Sequence, residues 1–397
     1  MPKPALTEAN PQLAGRAIED LTVSLYPKLI GDLGENNFVF SPTSIQFALA
    51  MTAAGAKGAT LEEMHQVLHY GAADQAELII DSFTQLLTAL RALDGSPDRL
   101  EGGLRTTLRV VNRIFVQEAF EVSPEFQDAM AELAAFESKP FNTNPDGARQ
   151  EINAWVSEQT QNKIENLLPG GSISNNTMTV LVNALYFKGS WARAFSPHST
   201  SDKAFTLPSG EEVMTPTMTV LEGFSVLEKP GYTVVALPYR DESTRMLVIV
   251  PEESASFSEF EAELSAGWWR EFDSEAEHAR VILEMPRFKV ESPLLGLKEP
   301  FERLGMQLPF TGGADFSGIS SKDSFFIESI FHKAVVEVDE EGTEGAAATA
   351  VVMARTSVPT EPPKLLQINR PFFFVVQDTA SGAVLFFGRV LDPRQDT

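Results

Sequence analysis

Cysteine is absent from all 397 residues, which excludes disulfides, thiolate metal sites and a cysteine nucleophile and leaves packing to hold the fold. Apolar runs approaching the ~20 residues of a membrane-spanning helix are missing as well. Basic residues are scarce: 31 Lys and Arg stand against 55 Asp and Glu, for a net charge of −24. With no Lys/Arg cluster to reverse that sign locally, the surface repels phosphate backbones and anionic lipid, and neither nucleic acid nor membrane is an expected partner. There is no GxSxG elbow, HExxH helix or phosphate loop, so hydrolase activity is not expected. The opening MPKPALTEANPQLAGRAI contains no secretory apolar core; the chain is read as either cytoplasmic or given in mature form.

What is present is the composition of a globular protein, 43% apolar and 22% charged. No Pro/Ser linker, charge block or repeat divides it, so one domain over residues 1–397 is expected.

Leu13, Ile18, Leu21 and Leu25 are spaced for a first helix, with Pro27 and Gly31 available to end it. A strand at Asn37 to Phe40 meets Ser41-Pro42, a cap followed by proline at the first helical position, and the next helix runs to about Gly55. That helix is apolar on nearly every side, so Ser41 and Ser44 need internal partners. Thr60 and Glu63 have the spacing of a capping box. His65 and His69, four apart, with Glu62 nearby, form the one candidate metal set, against the plainer reading of an exposed helix surface; no metal or cofactor is expected. Helices follow over Gln75 to Leu93, Pro124 to Ala135 and from about Ala148, with strands at Thr106 to Val116 and Met178 to Phe187. Asn183 lies inside the second of these strands as an amide needing a partner. The second half reads as strands at Val213 to Leu221, Phe224 to Leu227, Tyr232 to Pro238, Arg245 to Val250, Arg280 to Glu284 and Phe288 to Val290. A helix near Pro293 to Leu304, a strand at Glu328 to Glu337 and a hairpin of Phe372 to Gln377 with Ala383 to Val390 complete it.

The stretch that stands out is EEGTEGAAATAVVMARTSVP, Glu340 to Pro359. Read with period two from Thr343, one face carries Thr343, Gly345, Ala347, Thr349, Val351 and Met353, all uncharged and mostly small. Such a face can be buried in a sheet, yet the same residues suit a loop, and both conformations stay open.

The segments NFVFSPTSI, INAWVSEQT, LVNALYFKGSW, ADFSGIS, FHKAVVEVDEEGTEGAAATA and RPFFFVV, in this order over nearly the whole chain, resemble the serpin superfamily, in a prokaryotic type. The resemblance implies an α+β domain with three β-sheets, about eight or nine helices and an exposed reactive-centre loop at approximately 340–363. It implies inhibition of a serine protease as a suicide substrate; serpin loop insertion is itself the standard instance of strand addition and strain release. Glu340, Glu341, Gly342, Thr343, Glu344, Gly345, Ala346, Ala347 and Ala348 match the hinge. The family's spacing puts the scissile bond at Thr356-Ser357, with Arg355 and Met353 as alternative scissile residues. Ser41, Ser44, Asn183 and His332 match the shutter; Trp191, Arg287 and Glu340 match the breach, with an ion pair expected between the last two. The implied partner is a chymotrypsin-, elastase- or subtilisin-like protease, met by a monomer. Because the acidic segment Ala72 to Leu93 is nearly free of Lys and Arg, glycosaminoglycan is not an expected partner. Asn175, in an NNT sequon, would be glycosylated only on a eukaryotic secretory route. The alternative function is that of a non-inhibitory member acting as chaperone, carrier or storage protein, against which the small hinge residues weigh.

Overall fold

The computed structural model describes residues 8–93, 106–118, 120–253, 255–322, 326–343 and 362–395. Its helices in chain order are α1 (Pro11–Leu29), α2 (Pro42–Ala53), α3 (Gly58–Val67), α4 (Ala76–Leu93), α5 (Pro124–Met130), α6 (Pro145–Gln159), α7 (Phe257–Ala262), α8 (Gly267–Arg270), α9 (Phe272–Glu275) and α10 (Lys298–Leu304). One local device starts four of them. Asn10, Ser41, Ser123 and Asn144 each accept an amide hydrogen bond from three residues on, and each is followed by a proline whose missing N–H costs nothing there. The asparagine cap explains why α6 begins at Pro145 and not at Ala148.

The strands are β1 (Phe38–Phe40), β2 (Thr107–Gln117), β3 (Ala135–Lys139), β4 (Thr179–Ser190), β5 (Ser201–Thr206), β6 (Glu212–Lys229), β7 (Tyr232–Pro238), β8 (Thr244–Pro251), β9 (Glu277–Pro286), β10 (Phe288–Glu291), β11 (Leu295–Gly296), β12 (Phe331–His332), β13 (Val335–Val338), β14 (Gly342–Thr343), β15 (Lys364–Gln367), β16 (Phe372–Asp378) and β17 (Val384–Val390). A nine-stranded sheet has the order β1-β17-β16-β8-β7-β6-β9-β15, with β5 also on β6. The strands β8, β16 and β17 are buried at every position, as continuous Phe/Val/Leu runs require. A six-stranded sheet has the order β10-β13-β14-β4-β2-β3, and β11 pairs with β12 separately.

The fold is therefore a mixed α+β domain with the expected sheets, two of which join because the 18-residue β6 pairs with β5 and β9 and then with β7. Sequence reading broke β6 at Gly223. The glycine instead continues the strand opposite Arg280, where the His278 ring occupies the space a Cβ would need. The expected strand Glu328 to Glu337 is split, because Ala334 exchanges hydrogen bonds with Ser292 instead of continuing the ladder. The expected helix Pro293 to Leu304 shortens to α10, since Leu295 and Gly296 pair with β12. Likewise α5 stops at Met130, and Ala135–Lys139 pairs parallel with β2. Thr60 and Glu63 form no capping box: Thr60 Oγ1 accepts from Asp315 N and Glu63 Oε2 from Gln307 N and Leu308 N, so both pin α3 to the later loop.

Candidate functional site

The candidate site lies where β14 enters the six-stranded sheet. Asp339 closes a tight turn after β13: its Oδ1 accepts from Glu341 N at 2.9 Å and Gly342 N at 3.2 Å, while its own N–H donates to Gly342 O at 3.0 Å. The turn feeds β14 back between β13 and β4, with Thr343 opposite Val338 on one side and Gly189 on the other, and Gly342 opposite Ser190. Among the described residues β4 and β13 have no direct pairing. At β14, with each flanking strand ~4.8 Å away, β4 and β13 stand roughly 9.5 Å apart. Farther along β4, Thr179, Val180 and Leu181 line a cavity with Phe326, Ile327 and Phe331.

The entrance is built from side chains with little freedom. A Cβ on Gly342 would lie 1.9 Å from Gly189 O, so only glycine passes there. Thr343, buried at 2% exposure, shares a 2.7 Å hydrogen bond with Tyr239 OH. Trp191 stacks on Tyr239 at 4.7 Å and 14°, and its Nε1 donates to Asp339 O at 3.0 Å. Backbone N–H groups of Trp191 and Phe195 donate to Glu341 O and Glu340 O at 2.8 and 2.9 Å.

Glu340 supplies the entrance's charge. Arg287 Nε donates to its Oε1 at 2.9 Å, and Arg287 Nη2 and Thr200 Oγ1 converge on the same oxygen. Burial pushes the carboxyl upward, but the hydrogen bonds from Arg287 and Thr200 outweigh it and hold the carboxyl below its usual range. Because the folded state holds that proton less tightly than the unfolded chain, the stabilisation is present above the ordinary carboxylate range and is lost as pH falls through the folded value. Nearly half of Arg287 is exposed, which screens the pair. A double-mutant cycle of Glu340→Gln with Arg287→Met is expected to give a coupling of about 1 kcal/mol at pH 7 that vanishes in acid; additive single-mutant effects at pH 7 would exclude it.

A second polar cluster sits where β12 meets α2. His332 Nε2 accepts from Ser41 N at 3.0 Å, Ser41 Oγ accepts from Ser44 N at 3.2 Å, and these three residues border one small cavity with Leu185 of β4. Burial pushes the His332 imidazole down to about 3, so it is neutral here.

Of the residues singled out in sequence, the structure thus brings Trp191, Arg287, Glu340, Glu341, Gly342 and Thr343 together around β14, and Ser41, Ser44 and His332 to another cluster. Asn183 pairs through its backbone with Asn112; its side chain lies outside the described residues. So do Glu344, Gly345, Ala346, Ala347, Ala348, Met353, Arg355, Thr356 and Ser357. The His65/His69 pair does not share a helix. α3 ends at Val67, His69 adopts φ 60° with Nε2 bonded to Ser24 Oγ, and His65 is buried edge-on to Tyr70, not on an exposed surface. No group of three metal-ligating side chains occurs among the described residues. Sequence reasoning missed Tyr239, Thr200 and Asp339. The available signal was an Asp-x-x-Gly turn and a tyrosine whose hydroxyl, at the end of a buried strand, had to find a partner.

Comparison with known proteins agrees with this architecture. A family model described as serpin (serine protease inhibitor) matches residues 16–393. An uncharacterized serpin-like protein of Thermococcus kodakarensis is 36% identical over 392 residues, covering 98% of this chain and 88% of that protein. The solved structure of cleaved Serpin 42Da superposes with a TM-score of 0.83 at 31% identity, covering 97% of this chain and 99% of that one. Thyroxine-binding globulin in complex with thyroxine gives 0.82 at 26%, covering 96% and 99%.

Proposed function

The chain belongs to the serpin family, many of whose members inhibit serine proteases, and from that membership we propose that it traps a serine protease as a suicide substrate. The bait bond is Thr356-Ser357. The protease serine attacks the Thr356 carbonyl carbon, the bond to Ser357 breaks, the amine of Ser357 leaves with a proton, and an ester joins Thr356 to the enzyme. The segment Thr343 to Met353 then enters between β4 and β13 as a full strand and draws the tethered protease away before water reaches the ester. The observation that carries this reading is β14, whose two residues are already paired with β13 on one side and β4 on the other. Counted from Thr343 to the bait residue Thr356, fourteen residues at ~3.3 Å each span roughly 45 Å. On the order of ten new backbone hydrogen bonds at ~1 kcal/mol each would rival the stability of a whole domain.

Threonine at the bait is small and β-branched, which fits elastase-like, subtilisin-like or broad chymotrypsin-fold proteases; cleavage after Arg355 would fit a trypsin-like enzyme and after Met353 a chymotrypsin-like one. Incubation with a panel of such proteases is expected to yield an SDS-resistant complex and a released C-terminal peptide beginning at Ser357. A peptide beginning at Thr356 or Ala354 would move the bait, and cleavage without a trapped complex would refute inhibition. The second reading, carriage by a non-inhibitory member, is favoured by the likeness to a globulin solved with thyroxine bound; the same incubation separates the two.

A further inference from the structure

On the outer face of the nine-stranded sheet, Leu221 of β6, Ile282 of β9 and Leu365 of β15 stand abreast in register. Leu221 is 43% exposed and Leu365 58%. Exposed aliphatic residues are ordinary when scattered, but three neighbours on adjacent strands make one apolar row. The next row along is polar and internally satisfied: Glu284 accepts from Lys203 at 2.6 Å and Gln367 at 2.9 Å, and Lys203 also donates to Thr219. That row offers no unpaired charge to a partner, so the aliphatic row beside it is the adhesive part of the face.

We infer that this row is an auxiliary docking surface for the protease engaged at Thr356-Ser357, contacting the apolar rim on the leaving-group side of its cleft. The inference rests on the proposed inhibitory function. Two observations select this occupant. Three aliphatic side chains present far less than the ~800 Å² per partner of a stable interface, so whatever covers them must be held elsewhere as well. Leu365 follows Thr356 by nine residues, which at full extension keeps a protease active site within about 32 Å of the row, roughly the diameter of a small domain.

The test compares wild type with the double variant Leu221→Ser, Leu365→Ser, both at exposed positions, using a protease that forms an SDS-resistant complex. The association rate constant is expected to fall about tenfold, at low and high salt alike because the contact is apolar, while the number of inhibitor molecules consumed per protease stays the same. The pair Leu221→Ile, Leu365→Ile is expected to retain the wild-type rate. An unchanged rate in the serine variant overturns the inference, as does sedimentation showing a wild-type dimer that the variant abolishes, which would give the row to a second copy. Failure of wild type to trap any protease is read on wild type alone; it refutes inhibition and removes the proposed occupant with it.

Discussion

Under the proposed function, Thr343→Arg is expected to give a substrate in place of an inhibitor: cleavage by the trapped protease at an undiminished rate, with the SDS-resistant complex lost. Thr343 lies between Val338 and Gly189, is 2% exposed, and has its hydroxyl on Tyr239. An arginine there must either bring an unpaired guanidinium into this site, at a cost of several kcal/mol, or leave its place between β13 and β4 and withdraw β14. Gly189 offers no relief, because the Phe187 and Tyr239 rings already occupy the space beside it. Under the proposed mechanism the acyl-enzyme partitions between insertion and hydrolysis. Raising the insertion barrier by about 4 kcal/mol slows that branch nearly a thousandfold, so hydrolysis wins. Thr343→Ser, which keeps a hydroxyl for Tyr239, is expected to remain an inhibitor. The measurements are the yield of SDS-resistant complex and the rate of appearance of the cleaved chain; a variant that still traps protease at the wild-type yield would remove entry at Thr343 from the mechanism.

How much of this was legible follows from the kind of signal each residue carries. Caps and buried strands report themselves locally. Ser41-Pro42 started α2 where expected, and the apolar run from Tyr232 to Pro238 is β7 to the residue. The failures are places where a distant partner overruled local pattern. Ser292 captures Ala334 and divides a strand, His278 fills the space beside Gly223 and keeps one whole, and Asp315 and Leu308 draw Thr60 and Glu63 away from a cap. At the site, family resemblance named Arg287, Glu340, Ser41 and His332, but spacing alone could not. The contacting pairs lie 53 and 291 residues apart along the chain, and only the fold brings them together. The place of β14 between β13 and β4 has no local signature either, since it is set by register across the sheet.

The His332 cluster carries a second large effect, and its sign can be worked out. His332 Nε2 accepts from the backbone N–H of Ser41, a contact that protonation would turn into two opposed donors. Burial holds the folded imidazole near 3, against about 6.5 when unfolded. Between those values the unfolded chain binds a proton that the folded chain refuses, so the contribution is fully present above pH ~6.5 and is lost as pH falls, at up to about 1.4 kcal/mol per unit. Across the window that amounts to about 5 kcal/mol, comparable to the lower end of domain stability. His65 is shifted down by burial too, so the slope of wild type alone is not diagnostic; the difference from His332→Gln is. Gln can accept from Ser41 N without titrating. The stability difference, wild type minus variant, measured by urea unfolding, should therefore shrink by about 1 kcal/mol between pH 6.5 and 5.5 and reverse sign on further acidification. Glu340 does not confuse this range, because its carboxyl is held below the usual value and contributes its own loss only in stronger acid. A difference that stays constant from pH 7 to 5 would mean that His332 finds a proton-accepting partner when charged, and that the junction of β12 with α2 does not depend on its neutrality.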